Sequence, residues 1–301
     1  MRIGIFGSGA IGQSIASEIY KYNKEIIYLA ALGKYYDRVK DGIYVNDIKY
    51  NLKVTDNLKM DYLFICVKNY SLESSFDDIK TFVDKNTIII PLLNGVSAHD
   101  RLHKEFLVNR VLYGMIKIEA NQKDYTHTYT GGIKILTFGE RFNPSIPAYL
   151  LPLCDVLNNS KINYKVMPDM DACVWKKWML NIGINQVSSL TNSTYDDMRH
   201  PYLKELLYEL YKEIASLAMV VGVNLHQADA DDLYREIDTY TSNRYTSMAQ
   251  DFMNERRNEL EYFSGYALEL AKKYKVGLPY NEMIYKLLKA KSDNYMKKVK
   301  K

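Results

Sequence analysis

Apolar residues in the first half of the chain gather into short unbroken runs. In the second half they recur with the 3.6-residue period of a helix. Residues 2–6 (RIGIF), 25–30 (EIIYLA), 62–67 (YLFICV) and 87–93 (TIIIPLL) have the length of buried strands and end in turn residues. Residues 43–54 alternate and predict a hairpin around Asn46-Asp47. Residues 110–119 and 133–138 read as further strands, with Gly131-Gly132 as the turn between them. Beyond the break at residues 143–147 (NPSIP) come a helix over 148–158 and a strand over 164–167. After Pro168-Asp169 every periodic segment is helical: 171–191, 201–221 behind Pro201, 227–240, 258–274, and 280–298 behind Pro279. The pattern predicts an α/β domain over residues 1–168, a doubly wound parallel sheet, then an all-helical domain over 169–301, with a cleft between them.

Composition narrows the function classes. The chain has 301 residues, is 47% hydrophobic and 25% charged, and carries a formal net charge of +4. Nucleic-acid binding would need basic residues clustered on one face, and none gather before the tail. No apolar run approaches the ~20 residues of a membrane span. The first strand begins at once, so no signal peptide is expected. Cys66, Cys154 and Cys173 have neither CxxC nor Cys/His spacing. They read as core thiols in a reducing, cytoplasmic compartment, with no metal site. The run Lys297, Lys298, Lys300, Lys301 reads as a frayed, solvated helix end.

The first strand leads straight into Gly7-Ser8-Gly9-Ala10-Ile11-Gly12, and a helical pattern over 13–21 follows. Strand, GxGxxG and helix in that order form the dinucleotide-binding context. The first glycine permits the turn, the second lets backbone approach a pyrophosphate, and the third lets the helix pack on the strand. At the end of the second strand an acid would mark NAD and an arginine NADP. The residues are Ala30-Ala31-Leu32-Gly33-Lys34, so neither mark is present, and Lys34 and Arg38 are the nearest cations. Ligands of open parallel sheets bind beyond the carboxyl ends of the strands. Lys68 and Asn94-Gly95 stand at two such ends. His127, just before the two-glycine turn, reads as structural.

The helix over 171–191 is unusual. At ~100° per residue, Lys177, Asn181, Asn185 and Ser188 share one stripe, flanked by Trp178, Leu180, Ile182, Ile184, Val187 and Leu190. An ordinary wet face carrying two asparagines fits this pattern. So does a lysine with two amides aimed into a pocket, and asparagine is a poor helix former. Ser247 and Glu259 form the second candidate pair. On one straight helix they would lie ~18 Å apart. Asn258–Glu261 fits a capping box, so a new helix starting there would bend the segment and bring both to one cleft. A first-turn glutamate favoured by the helix dipole is the alternative for Glu259.

Several stretches resemble the 2-dehydropantoate 2-reductase (ketopantoate reductase) family: residues 7–13 (GSGAIGQ), Val67-Lys68, Asn94-Gly95, 175–185 (WKKWMLNIGIN) and 247–261 (SMAQDFMNERRNELE). The resemblance implies a Rossmann-type domain followed by a helical domain like that of 6-phosphogluconate dehydrogenase. It implies NAD(P)H-dependent reduction of 2-dehydropantoate to (R)-pantoate, a step toward pantothenate and coenzyme A. Lys177 would be the catalytic lysine and proton donor, Glu259 would orient the substrate, and Asn181, Asn185, Ser247 and Asn94 would bind it. Gly7 to Gly12, Lys34, Lys68 and Asn94 would hold the cofactor. The family's usual arginine after the second strand falls at Ala31-Leu32, and Tyr195 stands where asparagine is often met.

NADP(H) is favoured slightly, with NAD(H) the alternative; a homodimer is the expected assembly if there is one. Two other functions fit less of the pattern. One is a reductase of another 2-oxo acid or an opine-type dehydrogenase. The other is a non-catalytic dinucleotide-binding sensor.

Overall fold

The computed structural model describes residues 1–299, with no side-chain description for the last two of these. The chain divides into two compact units, Met1–Met170 and Asp171–Lys301. Among the described residues no helix is long and apolar enough to cross a membrane. The expected solvated lysine end lies, at Lys300 and Lys301, outside the described residues.

In the first unit the elements are β1 (Ile3–Phe6), α1 (Ala10–Tyr22), β2 (Ile27–Ala30), α2 (Lys34–Val39), β3 (Ile43–Val45), β4 (Ile48–Tyr50), β5 (Lys53–Thr55) and β6 (Tyr62–Ile65). They continue with α3 (Phe76–Phe82), β7 (Ile88–Pro91), α4 (Ala98–Glu105), β8 (Arg110–Val111), β9 (Tyr113–Gln122), β10 (His127–Gly139), α5 (Leu151–Asn159) and β11 (Tyr164–Lys165). Six strands form a parallel sheet in the order β5-β2-β1-β6-β7-β8. β1, β6 and β7 are buried along their whole length. Both faces of such a sheet are covered, which is why its strands read as unbroken apolar runs. Strand order reverses between β1 and β6, so the switch point lies between Gly7 and Lys68.

A second sheet has the order β11-β10-β3-β4, with β9 antiparallel to β10. The predicted hairpin is β3–β4. Asn46 and Asp47 both have positive φ, 51° and 63°, as a two-residue hairpin turn requires. The end of the same alternating stretch departs from that reading, because β5 leaves the hairpin and pairs with β2 in the main sheet. Gly131-Gly132 is also not a turn. The turn lies between β9 and β10, and the two glycines sit inside β10 where the register shifts between Thr130 and Ile133. Gly132, at φ 92°, takes up that irregularity.

The second unit comprises α6 (Met170–Thr191, whose first residue closes the preceding unit), α7 (Pro201–Val221), α8 (Gln227–Glu236), α9 (Ser247–Met253), α10 (Ser264–Tyr274) and α11 (Pro279–Val299). α7 begins on Pro201 and ends at Gly222, φ 89°, the usual proline-first, glycine-last pairing. Trp178, Met179, Ile182 and Val187 of α6 are fully buried, as are Leu207, Leu210, Tyr211 and Ile214 of α7. A Cβ on Gly183 would lie 2.4 Å from Cε1 of Tyr211, so the bare glycine is what admits that ring against α6.

Candidate active site

The glycine turn assigns its three glycines to three different jobs. Gly7 has φ +101°, and a Cβ there would lie 2.8 Å from the backbone of Cys66 and Val67. A Cβ on Gly12 would sit 2.2 Å from the carbonyl oxygen of Gly7. A Cβ on Gly9 would meet nothing nearer than Gln122 Oε1, at 3.8 Å. Two glycines are therefore demanded by the protein's own packing, and the middle one faces open space. α1 has no side-chain cap at Gly9 and no acid in its first turn. Its first N–H groups and its dipole remain available to an anion, so Gly7, Ser8, Gly9, Ala10, Ile11 and Gly12 fit a pyrophosphate.

Gln13, missed as a site residue in the sequence, braces this turn. Its amide nitrogen donates to the carbonyls of Ser8 (2.9 Å) and Tyr125 (2.7 Å), and its oxygen accepts from Thr128 Oγ1 (2.8 Å). Gln122 Nε2 also donates to Ser8 (3.1 Å). The β9–β10 hairpin is thus tied to the glycine turn from a distant part of the chain. His127 belongs to that hairpin: its ring stacks on Tyr44 at 4.4 Å and bonds Asp124. That is a structural place.

Lys68 is exposed just past β6, and Asn94 is half-buried just past β7. Asn69, fully buried, joins the two strand ends by donating from Nδ2 to the Asn94 carbonyl at 2.7 Å. Arg101 fixes Asn69 in turn, through its side-chain oxygen (3.0 Å) and its carbonyl (2.8 Å), and pairs with Glu73. Beyond β2, Lys34 is exposed, 5.3 Å from the Tyr35 ring.

In the second unit α6 is no wet-faced helix. Lys177 and Asn181 are half-buried, Asn185 is 5% exposed and Ser188 fully covered. Burial, opposed by the Glu259 carboxylate, pushes the Lys177 ammonium down to about 8. Ser188 ties the helix to the following turn, donating to the Ser193 carbonyl at 2.6 Å.

Glu259 is 6% exposed and lies immediately before a 3₁₀ turn over Leu260–Tyr262. The expected bend is present: α9 ends at Met253, and Glu255 has φ 50°. The expected capping box is not formed. Asn258 Oδ1 accepts from the Leu260 N–H at 3.1 Å, while Glu261 turns to Tyr285 (3.0 Å) and Lys289 (2.8 Å) on α11. Two bonds lay the Glu259 segment along α6. Trp178 Nε1 donates to the Tyr262 carbonyl at 3.0 Å, and Ser264 Oγ donates to Gln186 Oε1.

Ser247 opens α9, exposed, behind Thr246, whose hydroxyl caps the helix. The irregular segment before it bonds to the Tyr195 segment: Tyr195 N–H to Arg244 carbonyl at 3.1 Å, Asp196 N–H to Ser242 carbonyl at 3.0 Å. Ser188, Ser193, Tyr195 and Arg244 thus form a continuous path from the lysine helix toward Ser247. Among the described residues no group of three or more His, Cys, Asp or Glu could hold a metal ion. The cysteines are thiols. Cys154 is buried, Cys66 and Cys173 only partly covered, and burial pushes the Cys66 thiol upward.

Comparison with known proteins bears on both units. Residues 3–142 match the family model "Ketopantoate reductase PanE/ApbA", and residues 169–292 match "Ketopantoate reductase PanE/ApbA C terminal". A 2-dehydropantoate 2-reductase of Streptococcus pyogenes is 23% identical over 302 residues, covering 97% of this chain and 98% of that protein. One of Archaeoglobus fulgidus is 25% identical over 293 residues, covering 96% and 97%. Among solved structures, D-mandelate dehydrogenase in complex with NADH superposes with a TM-score of 0.87 at 21% identity, covering 98% of this chain and 100% of that one. Dimeric ketopantoate reductase from Staphylococcus aureus gives 0.83 at 20% identity, with the same coverage. At these identities the structural likeness speaks for the fold.

Proposed function

Because the chain belongs to the ketopantoate reductase family, we propose that it reduces 2-dehydropantoate to (R)-pantoate with NAD(P)H, as a step toward pantothenate and coenzyme A. The observation that carries the proposal is a lysine held near 8 by burial, beside a buried carboxylate and two amides on its own helix. The reading assigns the dinucleotide to residues 1–168 and the substrate chemistry to residues 169–301. The nicotinamide supplies the hydride that adds to the 2-oxo carbon. Gly7 to Gly12 receive the pyrophosphate, with Lys34, Lys68 and Asn94 as further cofactor contacts.

As hydride adds, negative charge grows on the carbonyl oxygen. The Lys177 ammonium stabilises that charge and donates the proton. A pKa near 8 suits the donor, because at neutral pH the ammonium is mostly charged yet releases its proton readily. Glu259 favours the charged lysine and orients the substrate. Asn181, Asn185, Asn94 and Ser247 fix the substrate without adding competing charge. The reaction fits a cytoplasmic enzyme with reduced cysteines. The test is oxidation of NADPH and NADH by the purified protein with 2-dehydropantoate. No turnover with either nicotinamide overturns the proposal. A panel of other 2-oxo acids tests the alternative motivated by Tyr195.

A further inference from the structure

The end of β2 poses a problem the glycine turn does not solve. A dinucleotide bound at that turn lays its adenosine ribose at the end of the second strand. The side chains there, Ala30, Ala31 and Leu32, can neither bond a ribose diol nor pair with a phosphate. Four residues into α2 stands a different kind of group. The Arg38 guanidinium carbon lies 3.6 Å from the centre of the Tyr125 ring and 5.4 Å from that of Tyr35. Tyr125 comes from the turn between β9 and β10, and its carbonyl is the one held by Gln13 on the first turn of α1. The same amide group of Gln13 holds Ser8 of the glycine turn. A single side chain therefore fixes the spacing between the pyrophosphate turn and the ring on which Arg38 rests.

We infer that Arg38, stacked on Tyr125, is the residue that reads the 2′-phosphate of NADPH in this chain. The inference rests on the dinucleotide reading of the glycine turn given above. The surroundings of the stack support it.

Stacking occupies the face of a guanidinium and leaves its in-plane N–H donors directed outward, in the fork that suits a phosphate. No hydrogen bond or ion pair to the protein engages the Arg38 guanidinium among the described residues. The nearby acids are turned elsewhere. Asp37 pairs with Lys40, and Asp124 accepts from Thr126 and His127. Lys34 adds positive charge without a fixed geometry, since it is exposed against Tyr35. Arg38 is partly buried and Tyr125 is 58% exposed, so the stack is accessible to a ligand.

The test is calorimetric binding of 2′,5′-ADP and 5′-AMP to the full chain, with no 2-oxo acid present. The two nucleotides differ by the 2′-phosphate alone. The expected result is tighter binding of 2′,5′-ADP, with at least a tenfold loss in Arg38→Gln and an unchanged affinity for 5′-AMP. Tyr125→Leu, which frees the guanidinium, loses several-fold, while Tyr125→Phe, which keeps the stack, retains wild-type affinity. Equal binding of the two nucleotides by the wild type overturns the inference. So does an Arg38→Gln protein whose losses for both nucleotides are equal, or one that loses nothing. A chain that discriminates as expected but turns over no 2-dehydropantoate would refute the proposed substrate and leave this assignment standing.

Discussion

The indole Nε1 of Trp178 donates to the carbonyl oxygen of Tyr262 at 3.0 Å, across 84 residues of sequence. Trp178 follows Lys177 directly, and Tyr262 lies three residues after Glu259. The bond therefore sets where the carboxylate segment rests along the lysine helix. Trp178→Phe keeps most of the ring's packing and removes the donor. We expect a loss of about 0.5–1.5 kcal/mol in stability, because the hydrogen bond between the two segments is removed, together with a fall in kcat. Urea unfolding and steady-state kinetics on the same preparation check this. A stability loss with unaltered kcat would show that Glu259 is positioned by other bonds.

Lys177→Met is expected to separate activity from stability. Turnover falls at least about a hundredfold, the lower range for a positioned proton donor. Stability rises, because the variant no longer buries an ammonium. In the folded state Lys177 titrates near 8 rather than at its ordinary 10.5. The cost of burying the charge is fully present below pH about 8. It is relieved as pH rises from there through 10.5, where the unfolded chain still holds the proton and the folded chain has released it. The gain should be about 1–3 kcal/mol at neutral pH and vanish above 10.5. Chemical denaturation at pH 7 and at high pH measures both, and a variant less stable than wild type at pH 7 contradicts the argument.

Glu259→Gln should move the alkaline limb of the pH–rate profile to lower pH. The Glu259 carboxylate raises the Lys177 pKa against the effect of burial. Removing its charge lets the lysine lose its proton earlier, so the donor form is depleted at a lower pH. A profile of kcat/KM from pH 6 to 10 reads the shift. A limb that stays in place would place the titrating group elsewhere.

Gly9→Ala and Gly12→Ala should fail in different ways. The new methyl at position 9 enters open space and the backbone there is ordinary, φ −82°. Stability should change by less than about 0.5 kcal/mol, while affinity for NAD(P)H drops at least tenfold. The methyl at position 12 collides with the Gly7 carbonyl at 2.2 Å. Overpacking of that kind costs about 1–3 kcal/mol, visible in the protein alone. Thermal unfolding with and without nucleotide distinguishes the two.

Much of the fold was legible because its signals are local. β1, β6 and β7 announce themselves as apolar runs, and Asn46-Asp47 as a turn. The Lys177, Asn181 and Asn185 spacing is likewise a property of one helix. The misreadings concern residues whose role is decided by distant partners. Gly131-Gly132 looks like a turn until the register of β10 against β9 absorbs it. Glu261 completes a capping pattern in sequence, yet Lys289 and Tyr285 offer it charge and a hydroxyl that the backbone cannot match. β5 has three residues, too short to declare its partner, and the edge of the main sheet claims it. Asn69 gave no signal, and Gln13 only its place at the end of a matching stretch, since a buried amide's role is set by the carbonyls it meets.

Gly183 has an evolutionary consequence. With Cε1 of Tyr211 2.4 Å from where a methyl would stand, position 183 cannot gain a side chain while Tyr211 keeps its ring. An alanine at 183 becomes tolerable only in a lineage where position 211 has already shrunk, and a smaller residue at 211 leaves a void that a larger residue at 183 can fill. The two sites should therefore change together or remain fixed together. Relatives sorted by that pair alone should fall into lineages that differ in how α6 and α7 approach each other.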